Sequence, residues 1–302
     1  MTKPRQVLAG VAYMIQRRCT QRQLLMRPDE ETNNAFLYCL LYALSCTSVV
    51  LVAVSTMSNH YHAVILDRLG ELPKFMARFH QLFARSQNAK LGRWENFWST
   101  EKASAVSLLT PQDIEDKVVY TLLNPVAANL VERADEWPGV NSWVAMQANA
   151  PLQAVRPAHF FSKKMPAALE GKLAVPEGRT HEEWIAKLRQ RIDAQQAEAA
   201  TERTASKRTV LGAAMIRAQL PTDTPARPEA HFQLSPRIAC SSKWHRIEAI
   251  SRDKAFQDAY RKAFAAWRDG EPAAFPPGTW AMRRVSEQPA ARSRAGIAVR
   301  IA

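Results

Sequence analysis

The chain has 302 residues, of which 47% are hydrophobic, and a formal net charge of +13. This hydrophobic content excludes a wholly disordered chain, and the length is sufficient for a full core or for two domains. Residues 1–150 have a net charge of +2, whereas residues 151–302 carry 26 Lys and Arg against 15 Asp and Glu, a net charge of +11. An excess of Lys and Arg attracts polyanions, so the composition predicts a polyanionic partner for the second half.

The sequence shows no sign of export. The four cysteines, at positions 19, 39, 46 and 240, follow no metal-binding or disulfide spacing, so we expect reduced thiols in a cytoplasmic protein. The N-terminus has no small-residue cleavage site of a secretory signal. The uncharged run over 35–58 is long enough for a membrane-spanning helix. Polar residues 45–48 interrupt it and β-branched residues follow, so we predict a buried helix, then a strand, and no membrane segment.

The first half of the chain predicts alternating strands and helices. Apolar residues at spacings of three and four mark helices, and runs of β-branched residues mark strands. In chain order we predict a strand over 6–17, a helix over 29–45, strands over 49–54 and 60–67, a helix over 72–91 and a strand over 103–109. This is the order of the split βαβ, ferredoxin-like arrangement, and such a fold leaves one sheet face open. We therefore predict an α+β fold for residues 1–146.

A further helix is predicted to pack on the open face. Its start is marked by an N-cap, a first-position proline and a capping-box carboxylate at Thr110, Pro111 and Asp113. We predict that it ends at Asn124, because the residue before a proline disfavours helical geometry. Tyr120 and Asn124 are four residues apart and share a helix face, with Lys117 one turn before Tyr120.

Two histidines lie on one of the predicted strands. Side chains alternate along a strand, so His60 and His62 project from one face and Tyr61 from the other. Two imidazoles on one face are half of a metal site, and the tyrosine and amide of the added helix could face them. Each residue also has an ordinary explanation. The histidines fit polar positions of a half-exposed sheet, Tyr120 an amphipathic core residue, and Asn124 a helix C-terminal residue.

Three motifs follow one another along the first half. They are His60-Tyr61-His62, the stretch from Tyr120 to Val131, and the stretch from Trp137 to Trp143. Over about residues 5–145 the chain resembles the single-tyrosine HUH transposases, especially the REP-associated tyrosine transposases. Two features depart from the family pattern. Tyr61 stands in place of an aliphatic residue, and residues 137–142 read Trp-Pro-Gly-Val-Asn-Ser where many relatives have Tyr-Pro-Trp-Ser-Ser.

The resemblance implies a ferredoxin-like nuclease that cuts single-stranded DNA beside hairpins. It implies that His60, His62 and Asn124 bind a divalent metal, and that Tyr120 is the nucleophile that forms a 5′-phosphotyrosine. Imidazole ligands favour Mn²⁺ and cellular abundance favours Mg²⁺, so we expect a site that accepts either.

Three cations are candidates for phosphate contacts. Lys117 could steady the phenolate of Tyr120 or the phosphate, and it could equally be a solvated helix lysine. Arg17 and Arg18 form a basic cluster at the end of the first predicted strand. We include both as candidates.

After residue 146 the resemblance fades. We predict a linker over 147–157, a basic helical accessory region that binds DNA over 158–286, and a disordered tail over 287–302. Helices are predicted over 180–203, 205–219 and 241–269, and a proline-rich extended stretch over 221–236. In the last helix, aromatic residues alternate with Lys and Arg. This pattern fits either stacking platforms in a DNA groove or the core and wet face of a helical module.

The predicted function is that of a metal-dependent transposase or endonuclease that nicks and rejoins single-stranded DNA near hairpin, REP-like sequences. The chief rival is a catalytically silent DNA-binding protein on the same fold, and a third hypothesis is RNA processing or binding. The expected partner is single-stranded or hairpin DNA. We expect a monomer or a homodimer that acts in the cytoplasm at the nucleoid.

Overall fold

The computed structural model describes residues 4–226 and 236–284. Its strands are β1 (Val11–Arg18), β2 (Val49–Thr56), β3 (His60–Asp67), β4 (Ser104–Leu108), β5 (Leu152–Val155), β6 (Ala168–Gly171) and β7 (Ile238–Ala239). Its helices are α1 (Glu30–Ser45), α2 (Leu72–Lys90), α3 (Pro111–Ala127), α4 (Trp143–Gln147), α5 (His181–Ala205), α6 (Ala213–Ala218) and α7 (Lys243–Arg268). The protein is therefore a mixed α+β structure.

One five-stranded sheet organises the molecule, with the strand order β2-β3-β1-β4-β7. β1 pairs antiparallel with β3 and β4, and β2 pairs antiparallel with β3. The predicted order of strand, helix, strand, strand, helix, strand is confirmed for residues 11–108. β7 was not predicted. It adds to β4 in parallel, and a strand of two residues has no periodicity that a sequence pattern could reveal.

Each face of the sheet has its own apolar layer. On one face α1 and α2 contribute an aromatic cluster, in which ring centroids lie 5.2–5.7 Å from that of Phe36 for Tyr61, Phe79 and Phe83. On the other face α3 and α5 share a core with β3 that includes Val64, Leu66, Ile114, Val118, Leu122, Trp184, Leu188 and Ile192. Because α5 belongs to the second half, that half helps to hold α3 on the sheet.

α3 continues past its predicted end. It runs to Ala127 with Pro125 inside, so the prediction of an end at Asn124 is wrong. Pro125 has no N–H and removes one hydrogen bond from the last turn. Pro125 and Val126 are both buried, and the burial of their side chains offsets the loss of that one bond.

The stretch predicted as a linker, residues 147–157, contains β5. This strand pairs antiparallel with β6 and packs on α1. There the Asn34 side chain donates to the Val155 carbonyl oxygen at 2.8 Å and accepts from the Val155 N–H at 2.9 Å. The linker prediction is therefore corrected for residues 152–155. Four residues are too few for the alternation of Leu152 and Ala154 to stand out from a loop sequence.

In the second half, the helices predicted over 180–203 and 241–269 correspond to α5 and α7. The helix predicted over 205–219 is wrong in extent, since α6 covers only its centre. Leu211 and Gly212 instead donate backbone hydrogen bonds to Asn129 and Leu130, and Gly212 has a φ of +81°. The extended stretch predicted over 221–236 lies mostly, and the tail over 287–302 wholly, outside the described residues.

The region over 35–58 follows the prediction of a buried helix and then a strand. α1 ends at Ser45 and β2 begins at Val49. None of the helices within the described ranges combines the length and the apolar character that a bilayer crossing needs. All four cysteine thiols are free.

Candidate active site

β3 carries the two histidines on the sheet face that α3 covers. In the register of β3 and β1, His60 lies opposite Arg18 and His62 opposite Gln16. The imidazole rings stand edge to face, with centroids 4.9 Å apart and planes at 88°. Tyr61 belongs to the core of the opposite face, together with α1 and α2. The two histidines therefore share a face, as strand alternation requires.

The start of α3 is fixed by a capping box. The Thr110 side chain accepts from the Asp113 N–H at 3.1 Å, and the Asp113 carboxylate accepts from the Thr110 N–H at 2.9 Å. The second carboxylate oxygen of Asp113 accepts two hydrogen bonds from Ser241. An N-cap stabilises a helix by about 1 kcal/mol. The anchored first turn sets which residues of α3 meet β3.

The predicted residues of α3 meet the histidines. The Tyr120 ring stands edge-on to His62 with 5.4 Å between ring centroids, and Tyr120 is 46% exposed. The Lys117 Nζ lies 5.4 Å from the centre of the Tyr120 ring. Asn124 forms a side-chain hydrogen bond with His60. We call these five residues, His60, His62, Lys117, Tyr120 and Asn124, the tyrosine cluster.

Burial keeps both imidazoles neutral near pH 7. Burial lowers the pKa of His60 to about 4, the Arg18 guanidinium lowers it as well, and the hydrogen bond with Asn124 acts in the opposite direction. Burial lowers the pKa of His62 well below its usual range, with further lowering from His60 and Lys117. A neutral imidazole retains a lone pair for a metal ion. Arg18 and Lys117 also give the site a positive potential, which favours a phosphate ligand.

Hydrogen bonds determine which nitrogen of His60 carries the proton. The Asn59 Nδ2 donates to the Arg22 carbonyl oxygen at 3.0 Å, which leaves Asn59 Oδ1 to face His60 Nδ1 at 2.7 Å. An amide oxygen only accepts, so His60 Nδ1 carries the hydrogen and Nε2 keeps the lone pair. Among the described residues, nothing forms a hydrogen bond with the buried His62 Nδ1. Both imidazoles therefore fit the role of metal ligands.

The structure places no third His, Cys, Asp or Glu ligand beside the two histidines among the described residues. Within residues 4–226 and 236–284, no group of three His, Cys, Asp or Glu side chains could hold a metal ion. Asn124 is the polar residue that already contacts His60. Two imidazoles and an amide oxygen leave coordination positions open for phosphate and water.

The two candidate arginines lie on opposite faces of the sheet. Arg18 pairs with His60 across the strands, and its guanidinium lies 3.5 Å from the Glu101 carboxylate. The Arg17 guanidinium lies over the Trp98 ring at 5.4 Å, on the Tyr61 side of the sheet. Arg17 therefore lies on the face opposite the histidines, because neighbouring residues of a strand point to opposite faces.

No protein-family model matches the chain, and no curated protein does. Among solved structures, a REP-associated tyrosine transposase bound to a REP hairpin is 14% identical, with a TM-score of 0.42, over 49% of this chain and 86% of its own. A candidate transposase from Deinococcus radiodurans R1 is 16% identical, with a TM-score of 0.28, over 35% of this chain and 85% of its own. Neither likeness assigns this chain to a family.

Three polar residues near the histidines were not predicted from the sequence. Asn59 holds His60 in one tautomer, and its place directly before the histidine was a signal that the motif contained. Gln16 of β1 lies opposite His62, and Ser104 of β4 lies opposite Gln16, all on the same face. Their position depends on strand register, which no local pattern reveals.

Proposed function

We propose that this chain is a metal-dependent single-stranded DNA endonuclease of the transposase type, which cuts and rejoins DNA through a covalent intermediate on Tyr120. The observation that carries the proposal is the half-exposed Tyr120 ring edge-on to the neutral His62, 5.4 Å away, with Lys117 beside it. The strand order and antiparallel pairing of β1 to β4 support a ferredoxin-like HUH nuclease domain. The order of the three motifs supports the same assignment.

Tyr120 is the proposed nucleophile. Its phenolic oxygen attacks phosphorus, the bond from phosphorus to the 3′ oxygen breaks, and the fragment that carries the 5′-phosphate stays linked to Tyr120 as a phosphodiester. The phenolic proton of Tyr120 is transferred to the departing 3′ oxygen, which becomes a hydroxyl group. Attack of a 3′-hydroxyl on the phosphotyrosine reverses these bond changes and rejoins a strand. No water or external energy source is needed for the exchange.

The remaining residues prepare this step. The Lys117 ammonium near the Tyr120 ring favours the developing phenolate, and Arg18 adds positive charge beside His60. His60, His62 and Asn124 would hold a divalent ion, Mg²⁺ or Mn²⁺. When bound, this ion would supply a Lewis acid for a non-bridging oxygen of the phosphate.

The proposed substrate is single-stranded DNA next to a hairpin. The family resemblance suggests hairpins of the REP type, and the net charge of +11 on residues 151–302 supports phosphate contacts by the second half. A nucleoid location follows from this substrate.

The test is a covalent-adduct assay. Wild-type protein, Tyr120→Phe and the control Tyr42→Phe are incubated with end-labelled single-stranded DNA carrying hairpins from the flanks of its own gene, with Mn²⁺ or with chelator, and run on denaturing gels. We expect a metal-dependent adduct in the wild type and in Tyr42→Phe, and none in Tyr120→Phe. An adduct that survives in Tyr120→Phe contradicts the proposal. Tight hairpin binding without any cleavage supports the DNA-binding rival.

A further inference from the structure

Gln16 occupies an unusual position for an exposed residue. It lies in β1, which has strands on both sides, with His62 opposite it on β3 and Ser104 opposite it on β4. Ala12 and Met14, which share its face, are 1% and 6% exposed. Gln16 itself is exposed. The cover on this face of β1 therefore stops between Met14 and Gln16.

The position of α3 explains where the cover stops. α3 packs mainly on β2 and β3, and its contacts with β4 are few. Beyond Met14, within residues 4–226 and 236–284, the face continues as a less covered strip made of Gln16, Arg18 and Ser104, which we call the sheet floor. Arg18 and Ser104 are half-buried. The floor begins beside His62 and extends away from Tyr120 across two strands, which are ~4.8 Å apart.

The floor offers unused polar groups. Within the described part of the chain, the side chains of Gln16 and Ser104 make no hydrogen bond, although Gln16 lies opposite His62 and Ser104 lies opposite Gln16. Arg18, in contrast, has the Glu101 carboxylate at 3.5 Å. A side-chain amide presents a donor and an acceptor side by side, which matches the edge of a nucleobase. A hydroxyl can serve as either partner.

We propose that the single strand to be cut lies across the sheet floor, and that Gln16 contacts the base of a nucleotide next to the scissile phosphate. This inference rests on the proposed function. A phosphate held between Tyr120 and the histidines is one strand spacing from Gln16, so the adjacent base is the group that reaches its amide. The Gln16 side chain thereby sets a base preference near the cut, and Arg18 and Ser104 contact the sugar and phosphate beside it.

The test measures base preference. Adduct formation is followed at increasing concentrations of oligonucleotides that carry each of the four bases, in turn, at the positions flanking the cut. We expect Gln16→Ala to raise the half-saturating concentration of the preferred oligonucleotide by roughly 5- to 100-fold and to flatten the preference at one position. Gln16→Glu should move that preference toward cytosine, because a carboxylate accepts from the cytosine amino group. Gln81→Ala, an exposed glutamine of α2, is the matched control.

The outcomes separate this inference from the proposed function. A Gln16→Ala profile identical to that of the wild type, with an intact adduct, overturns the sheet floor while leaving Tyr120 as nucleophile. If the wild type forms no adduct, the proposed function fails, and the same oligonucleotides are compared by binding affinity. If Gln16→Ala then flattens the base preference of binding, the sheet floor is supported. If Gln16→Ala leaves that preference unchanged, the sheet floor is overturned. Melting temperatures establish that each variant is folded.

Discussion

The two faces of the sheet differ in how completely they are covered. On the face of α1 and α2, Phe36, Phe79 and Phe83 are at most 1% exposed. On the face of α3, Tyr120 is 46% exposed and Gln16 lies open to solvent. The same strands supply both faces, because successive side chains alternate. The closed face contributes stability through burial, whereas the open end of the other face leaves polar groups within reach of a ligand.

The largest effect on stability should come from the closed face. Phe79 is fully buried and contacts Phe36, Tyr61 and Phe83. We expect Phe79→Ala to lower the free energy of unfolding by about 3–5 kcal/mol, since it removes aromatic contacts and leaves a cavity. Urea denaturation measures this change. Tyr120→Phe, on the open face, should change it by less than about 0.5 kcal/mol, and equal losses in the two variants would contradict the contrast between the faces.

The next effect should come from the contact between α3 and α5. Glu115 of α3 is 1% exposed and lies 3.1, 2.7 and 2.8 Å from Arg179, Lys187 and Arg191. Glu115→Gln removes the anion that these three cations share. We expect a loss of about 2–3 kcal/mol in the free energy of unfolding. The loss is no larger because the three cations can regain water. Asp116→Asn, which removes a more exposed carboxylate facing Arg191, should cost less.

This contact also predicts a pH dependence. Burial raises the pKa of Glu115, but hydrogen bonds from Lys187, Arg191 and Arg179 outweigh it and hold the pKa below its usual range. A carboxyl whose pKa is lower in the folded state adds stability above its unfolded pKa of about 4.3 and loses it as the pH falls through the folded pKa. The difference between wild type and Glu115→Gln should therefore be full near pH 7 and shrink in acid. A difference that is constant from pH 7 to pH 3 would contradict the ion-pair explanation.

On the open face, the hydrogen bond between Asn59 and His60 should affect metal binding. Asn59 accepts the hydrogen of His60 Nδ1 at 2.7 Å. We expect Asn59→Ala to weaken Mn²⁺ binding by about 10- to 100-fold, as for other residues that orient a metal ligand. Calorimetric titration of the protein with Mn²⁺ measures the affinity. Asn88→Ala, whose side chain bonds the Glu95 carbonyl oxygen, should leave the affinity unchanged, and equal affinities in both variants would remove Asn59 from this role.

The smallest effect should come from Lys117. Its ammonium lies 5.4 Å from the centre of the Tyr120 ring. We expect Lys117→Met to slow adduct formation about two- to fivefold at low salt, and the difference should shrink as salt is added. Lys74→Met is the control for overall charge, because Lys74 is an exposed residue of α2, on the opposite face of the sheet. A Lys117→Met rate equal to that of the control would indicate a merely solvated lysine.

The periodic parts of the molecule could be predicted well. The bounds of α1, α2 and β3 follow their apolar spacing closely, and the histidine pair and the pair of Tyr120 and Asn124 each share a face because of local geometry. The parts that were missed are short or depend on distant partners. β5 has four residues and β7 has two. Both are held by hydrogen bonds to strands that are not adjacent in the sequence.

By itself, the sequence determined the order of strands and helices and the residues that share a side of each, because covalent geometry repeats every 2 residues in a strand and every 3.6 in a helix. Only the tertiary structure decided which of those sides meet. It brought Tyr120 to His62 and left Gln16 exposed. Strand register and the placement of α3 depend on packing between residues distant in sequence, and a one-residue change of register would reverse every one of these assignments.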